Sequence, residues 1–212
     1  MIKRNKGTLI LTSIVMLIPM VIGLLLWNQL PDIVPSHWNI NGEVDGWSSK
    51  AFAVFFFPSL VLAIHWICVF ASYADPKSKD YHPKMIGLVL WICPVLSLLL
   101  NSMVYAVALG YQLNIEIIMP LLVGLMFVIV GNLLPKCRQS YTMGIKLPWT
   151  LSNEENWNKT HRFGGKLWVI GGVVIMATAF VGSFWILMGV MVVMVAAPTI
   201  YSYVHYRKHK ED

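Results

Sequence analysis

Runs of roughly twenty apolar residues recur along this chain, and nothing constrains its fold more. A segment that crosses about 30 Å of hydrocarbon needs about 20 apolar residues in a helix, because no water is present there to satisfy a free backbone N–H or C=O. Six such runs can be marked, near 7–28, 51–72, 85–110, 115–134, 167–182 and 184–206. The last two make one nearly continuous apolar block of about 40 residues, which at about 1.5 Å per residue would be a helix of about 60 Å. One bilayer cannot hold that length, so the block is predicted to fold back at Gly182-Ser183. Composition agrees with lipid as the solvent: 57% of the 212 residues are hydrophobic and 12% charged, where a soluble domain averages about 25% charged.

Loop charge tests the count of spans independently, since cytoplasmic loops collect Lys and Arg. Six spans put Lys3, Arg4, Lys6, Lys77, Lys79, Lys84, Lys136, Arg138, Lys146, Lys159, Arg162, Lys166, Arg207, Lys208 and Lys210 on one side, and Lys50 alone on the other. Losing or adding one helix would scramble that separation. Both termini are therefore expected in the cytoplasm. The first span follows Lys3, Arg4 and Lys6 as a secretory signal does. Its apolar run is too long for a signal core and no small-residue cleavage pattern follows, so it is expected to stay as the first helix. Cys68 and Cys93 fall inside spans and Cys137 on the reducing side, which argues against disulfides.

The net charge of +6 does not point to nucleic acid, because the basic residues sit in short loops beside apolar runs. Nor do the spans resemble those of a carrier. Only His65 lies well inside one, with Glu116 near an end and Asn101 and Asn132 as polar neutrals, whereas ion and proton pathways keep titratable groups at membrane depth. No internal repeat is visible. Pro19, Pro94, Pro120 and Pro198, with Gly171, Gly172, Gly182 and Gly189, read as packing features of neighbouring helices.

The one substantial outer loop, 29–50, reads QLPDIVPSHWNINGEVDGWSSK. Pro31 and Pro35 preclude a continuous helix, and Asn41-Gly42 and Asp45-Gly46 are turn dipeptides. The loop is expected to be turned and close to the membrane, with Trp38 and Trp47 at headgroup level. His37 lies near Asp32, Glu43 and Asp45, but the spacing matches no metal-ligand template, so no metal and no cofactor are expected.

The polar stretch 135–166 is where chemistry or recognition on the inner side has to concentrate. Its six basic and two acidic residues suit an anionic leaflet. Ser152 and Glu155 have the spacing of a capping box, which predicts a short interfacial helix over 153–163, ended by Gly164-Gly165. On it Trp157 and His161 share a face and Glu155 can pair with Lys159. Pro148 biases Leu147 away from helix, and Trp149 with Trp157 would sit at the inner interface. Cys137, His161, Glu154 and Glu155 show no nucleophile–base–orienter spacing, so no enzyme is expected.

Gly131-Asn132, the run Met143-Gly144-Ile145-Lys146-Leu147-Pro148-Trp149-Thr150-Leu151, then Glu155, Trp157 and His161-Arg162-Phe163 together resemble the core motif of the SdpI family of bacterial membrane immunity proteins. There the stretch reads G-[IL]-R-x-P-W-T-L, followed by an acidic residue and W and then an R-F-like pair. The outer Pro35-x-His37-Trp38-Asn39, with Gly42 and Trp47, is similar to the domain that often precedes this motif. One departure is visible: Lys146 stands where the family commonly has Arg, and an ammonium does not replace a bidentate fork.

The resemblance implies protection of a cell from a secreted peptide toxin. It also implies, in one branch, a receptor that holds a small transcriptional repressor at the membrane. The expectation is thus an all-α, non-enzymatic membrane protein with six transmembrane helices, both termini inside, and an interfacial helix between the fourth and fifth. Residues 1–84 would form an N-terminal hairpin and 85–212 the SdpI-like region. Toxin contact is expected at Pro35, His37, Trp38, Asn39, Gly42, Asp45 and Trp47. The inner motif surface comprises Asn132, Gly144, Lys146, Pro148, Trp149, Thr150, Glu155, Trp157, His161 and Arg162. Partners implied are membrane lipid, the toxin and the repressor, with no direct contact to nucleic acid; the rival reading is a small-molecule or lipid transporter.

Overall fold

A computed structural model describes residues 3–208; Lys210, counted above with the inner charges, lies outside the described residues. Packing divides the chain into two compact units. One comprises 1–73 with 87–115, the other 74–86 with 116–212.

The first unit is built on three long apolar helices. Helix α1 (Lys6–Leu25) carries Pro19, and a π-helical turn (Phe52–Phe56) leads into α2 (Phe57–Ala74). Helix α3 spans Pro83–Ala108, with its first residues assigned to the other unit. Leu30, Val54 and Tyr105 form a buried cluster, and the Tyr105 hydroxyl donates to the Pro19 carbonyl at 3.0 Å. Gly23 is required there: a Cβ would lie 2.7 Å from both the Tyr105 oxygen and a Val54 methyl. His65, fully buried, meets the Thr12 hydroxyl at 3.4 Å, and Asn101 donates to the Ser97 carbonyl one turn back at 2.7 Å. These polar groups are used between or within helices.

Between α1 and the π turn the chain is not helical, and here the all-α expectation needs correction. Strands β1 (Ile33–Trp38) and β2 (Val44–Ser49) pair antiparallel as a two-stranded hairpin. Its tip is set by Asn39, whose side-chain oxygen accepts from the amides of Asn41 at 2.9 Å and Glu43 at 3.0 Å, with Gly42 at φ 74°. That is the side-chain-to-backbone turn Asn favours. Asp45-Gly46, read as a turn, lies instead within β2, opposite an irregularity of register around His37. The pairing runs Ile33 to Ser49, Val34 to Ser48, Pro35 to Trp47, His37 to Gly46 and Trp38 to Val44. A Cβ on Gly46 would come within 2.7 Å of that of His37. At the hairpin base Lys50 Nζ pairs with Asp32 Oδ1 at 2.8 Å.

The second unit holds α4 (Ile115–Leu133) with its 3-10 extension Leu134–Lys136, the short α5 (Pro148–Ser152), α6 (Glu154–Val181) and α7 (Phe184–Lys208). Among the described residues six helices are long and apolar enough to cross a membrane, consistent with a multi-pass membrane protein. The apolar block breaks where expected: Gly182 caps α6 in the left-handed region at φ +66°. A correction applies to the interfacial helix. Residues 153–163 are the first turns of α6, which continues through Gly164-Gly165 into the span. These glycines do not stop the helix, because they serve packing. A Cβ on Gly165 would sit 2.7 Å from the Gly131 carbonyl oxygen, and one on Gly172 would sit 2.6 Å from that of Gly124. The two glycine pairs, each seven residues apart, bring α4 and antiparallel α6 into backbone contact.

Candidate functional site

The segment that joins α4 to α6 in the second unit is organised by hydrogen bonds from residues its sequence does not advertise. Leu147 is extended ahead of Pro148, the first residue of α5. The Thr150 hydroxyl accepts from the Leu147 amide and donates to the Ile145 carbonyl, both at 2.9 Å. Trp149 donates its indole N–H to Ser202 Oγ on α7 at 2.9 Å, with its ring against Tyr203 and Tyr206. Asn153, and not Ser152, caps α6, accepting from the Asn156 amide at 2.8 Å. Asn and Ser cap about equally well, but Ser152 is the last residue of α5 and gives its hydroxyl to the Trp149 carbonyl at 3.3 Å, which leaves the cap to Asn153. Asn156 in turn donates to the Ser202 carbonyl at 3.0 Å and accepts from Thr160.

Trp157 and His161 do share a helix face, but it points inward. Both are essentially fully buried, so Trp157 is not an interface anchor. Its indole donates to the Cys137 carbonyl at 2.7 Å and its ring stacks on His161 at 4.1 Å between centroids. The imidazole tautomer follows from its neighbours. Ile145 N–H points at Nε2 at 2.9 Å, so Nε2 accepts, and Nδ1 carries the proton that goes to the Trp157 carbonyl at 2.7 Å. A neutral histidine thereby joins α6 to the motif segment. Gly144, at φ +104°, passes over this pair; a Cβ there would collide with His161 Nε2 and lie 2.8 Å from the indole.

The centre of the site is Asp75, which sequence reasoning missed together with Tyr81, Gln139, Ser140, Thr142, Asn156 and Ser202. Its Oδ2 accepts from the Tyr81 hydroxyl at 2.6 Å, Ser140 Oγ at 2.9 Å, the Tyr141 amide at 2.8 Å, and the Thr142 amide and hydroxyl at 3.1 Å. Its Oδ1 accepts from the Lys77 amide at 2.8 Å. Burial opposes its charge, yet the donors from Tyr81, Lys77, Ser140 and Tyr141 outweigh it and hold the carboxyl well below the usual carboxylate range. Tyr81 is pushed up to about 12, by burial first and then by its bond to Asp75. Beside them Lys77 donates to the Gln139 side-chain oxygen, and Gln139 donates to the carbonyls of Thr150 at 3.1 Å and Leu151 at 2.8 Å. Cys137 is buried, and its thiol is raised to about 12 by burial, so it is inert as a nucleophile.

What remains outward is a charged rim. Glu155 and Lys159 form the expected pair at 2.6 Å and, with Glu154, Asn158 and Arg162, line an open depression. Gly144, Lys146 and Pro148 are exposed, with Lys146 Nζ on the carbonyls of Tyr141 and Thr142; Asn132 is exposed on α4, apart from this network. In the first unit, the hairpin gathers the expected outer residues: Pro35 opposes Trp47, His37 opposes Gly46, and His37 Nδ1 meets Asp45 Oδ1 at 2.5 Å. Trp47 is 60% exposed. Among the described residues no group of three or more His, Cys, Asp or Glu could hold a metal ion.

Comparison with known proteins places these two regions. The family profile described as the SdpI/YfhL protein family matches residues 136–202, and one described as a domain of unknown function (DUF1648) matches residues 14–62. The chain is 28% identical over 202 residues to a protein named Immunity protein SdpI from Bacillus subtilis (strain 168), covering 94% of this chain and 96% of the relative. No solved structure matches. With the motif segment, α6 and most of α7 inside the first match and the similarity to the relative running nearly end to end, this chain is similar to the SdpI/YfhL family.

Proposed function

We propose that this protein is a non-enzymatic immunity protein that protects the cell carrying it from a secreted peptide toxin. The observation that carries this reading is similarity along almost the whole chain to a protein named for immunity. The orientation proposed has both termini and the 135–166 segment in the cytoplasm, from the separation of Lys50 from all other basic residues. Toxin then meets the β-hairpin, where Trp47 and the His37–Asp45 pair stand exposed. Contact there changes helix packing and alters the surface from Gly144 to Arg162. In the same reading a cytoplasmic repressor docks on the charged rim of Glu155, Lys159 and Arg162.

The test is expression in a toxin-sensitive bacterium lacking its own immunity protein. Survival is expected with the intact chain and loss of it with Trp47→Ala or Arg162→Ala at equal membrane levels. Full sensitivity with the intact chain present in the membrane would sink the immunity reading. Retained survival and repressor recruitment in both variants would sink the assigned surfaces. A transporter has less support, since polar residues at membrane depth are few: His65 Nε2 meets Thr12 on α1, and Asn101 bonds the Ser97 carbonyl of its own helix; flux into sealed liposomes would revive it.

A further inference from the structure

Asp75 is the one acidic side chain among the described residues that is almost wholly buried, at 4% exposure. No ion pair with it forms among the described residues, and Lys77, two residues on, gives its ammonium to Gln139. A buried charge without a cation is tolerated only when hydrogen bonds replace its water. Here the replacement comes chiefly from one turn: the amides of Tyr141 and Thr142 and the hydroxyls of Ser140 and Thr142 converge on a single oxygen. Successive amides aimed at one point form an anion nest. This nest is occupied by the chain's own carboxylate.

The consequence reaches the surface through one peptide unit. The Tyr141–Thr142 peptide gives its N–H to Asp75 and its C=O to Lys146 Nζ at 3.4 Å. Three residues after Thr142, the Ile145 amide is taken by His161. The segment carrying Gly144 and Lys146 is thus gripped from both sides, and Asp75 supplies the grip from a separate loop, 65 residues away in sequence from Ser140.

We propose that Asp75 is the positioning residue of the inner motif surface: its carboxylate fills the 140–142 nest, sets the course of Gly144 to Pro148, and so is required for protection. This rests on the immunity reading. Asp75 touches no toxin; it acts through the turn it holds.

Native Cys137 reports on the grip, because it is buried and its carbonyl is held by Trp157. In inside-out membrane vesicles of the full chain, Asp75→Ala is expected to raise Cys137 labelling by an impermeant maleimide about tenfold, as local opening becomes easier. Added formate, a carboxylate small enough for the vacated nest, is expected to restore protection from labelling, which a merely structural role would not show. In the toxin assay the same variant is expected to lose resistance at normal membrane levels. If Asp75→Ala does not reach the membrane, isosteric Asp75→Asn, which leaves the nest filled but uncharged, is compared without formate and is expected to raise labelling by a smaller factor. Unchanged labelling, or faster labelling that formate leaves unaltered, overturns the positioning role. Full resistance of the variant where the wild type protects overturns the requirement. Failure of the wild type to protect is a failure of the immunity reading, and the labelling comparison still decides the role of Asp75.

Discussion

Single residues in the segment between α4 and α6 act by removing alternatives. Gly144 adopts a conformation that an L side chain rarely takes and leaves no room above His161. Gly144→Ala is expected to cost about 2 kcal/mol or more, strain and clash together, measured as a lower Tm in detergent. The charge of Asp75 gives a sign for pH. A carboxyl depressed in the fold contributes stability that is fully present above its unfolded pKa of about 3.9 and fades as pH falls below it. Tm is therefore expected to hold from neutral pH to about 5 and then drop, and Asp75→Asn should flatten that drop. Tyr81 works oppositely: its contribution is intact below about 10 and lost as pH rises toward about 12. Residue spacing revealed Glu155 with Lys159, since helix geometry brings i and i+4 together. It could not reveal Asp75, whose partners come from a distant loop.

Among elements, the α4–α6 pair depends on glycines that allow backbone to meet backbone. Gly165→Leu is expected to separate the helices and lower the amount of folded protein extracted from membranes. Gly189→Ala, where nothing lies within 4 Å of an added Cβ, is the matched control and should behave as wild type. In isolation Gly164-Gly165 reads as a helix end, because glycine is a poor helix former in water. Within the second unit that cost is offset by close packing, so the helix runs on. The hairpin was hidden for a similar reason. Six-residue strands containing a proline and a glycine carry little periodic signal, and their pairing becomes evident only when the two are side by side.

At the scale of the molecule, the separation of Lys50 from the other basic residues predicts orientation. Cysteine introduced at Ser36 is expected to react with an impermeant maleimide in intact cells, and one at Asn158 only in inside-out vesicles; the reverse pattern would invert the topology. Six spans, the break at Gly182 and the loops that carry charge were legible in the sequence by itself. They follow from hydrocarbon thickness, helix rise and the exclusion of charge from lipid, which act on any segment regardless of its neighbours. Only the tertiary structure decided which polar residues make the site. Trp157 and His161 turned inward, and Asp75, Gln139 and Ser202 became its supports. A buried hydrogen bond is chosen by what the folded chain brings within 3 Å, and no local pattern encodes that distance.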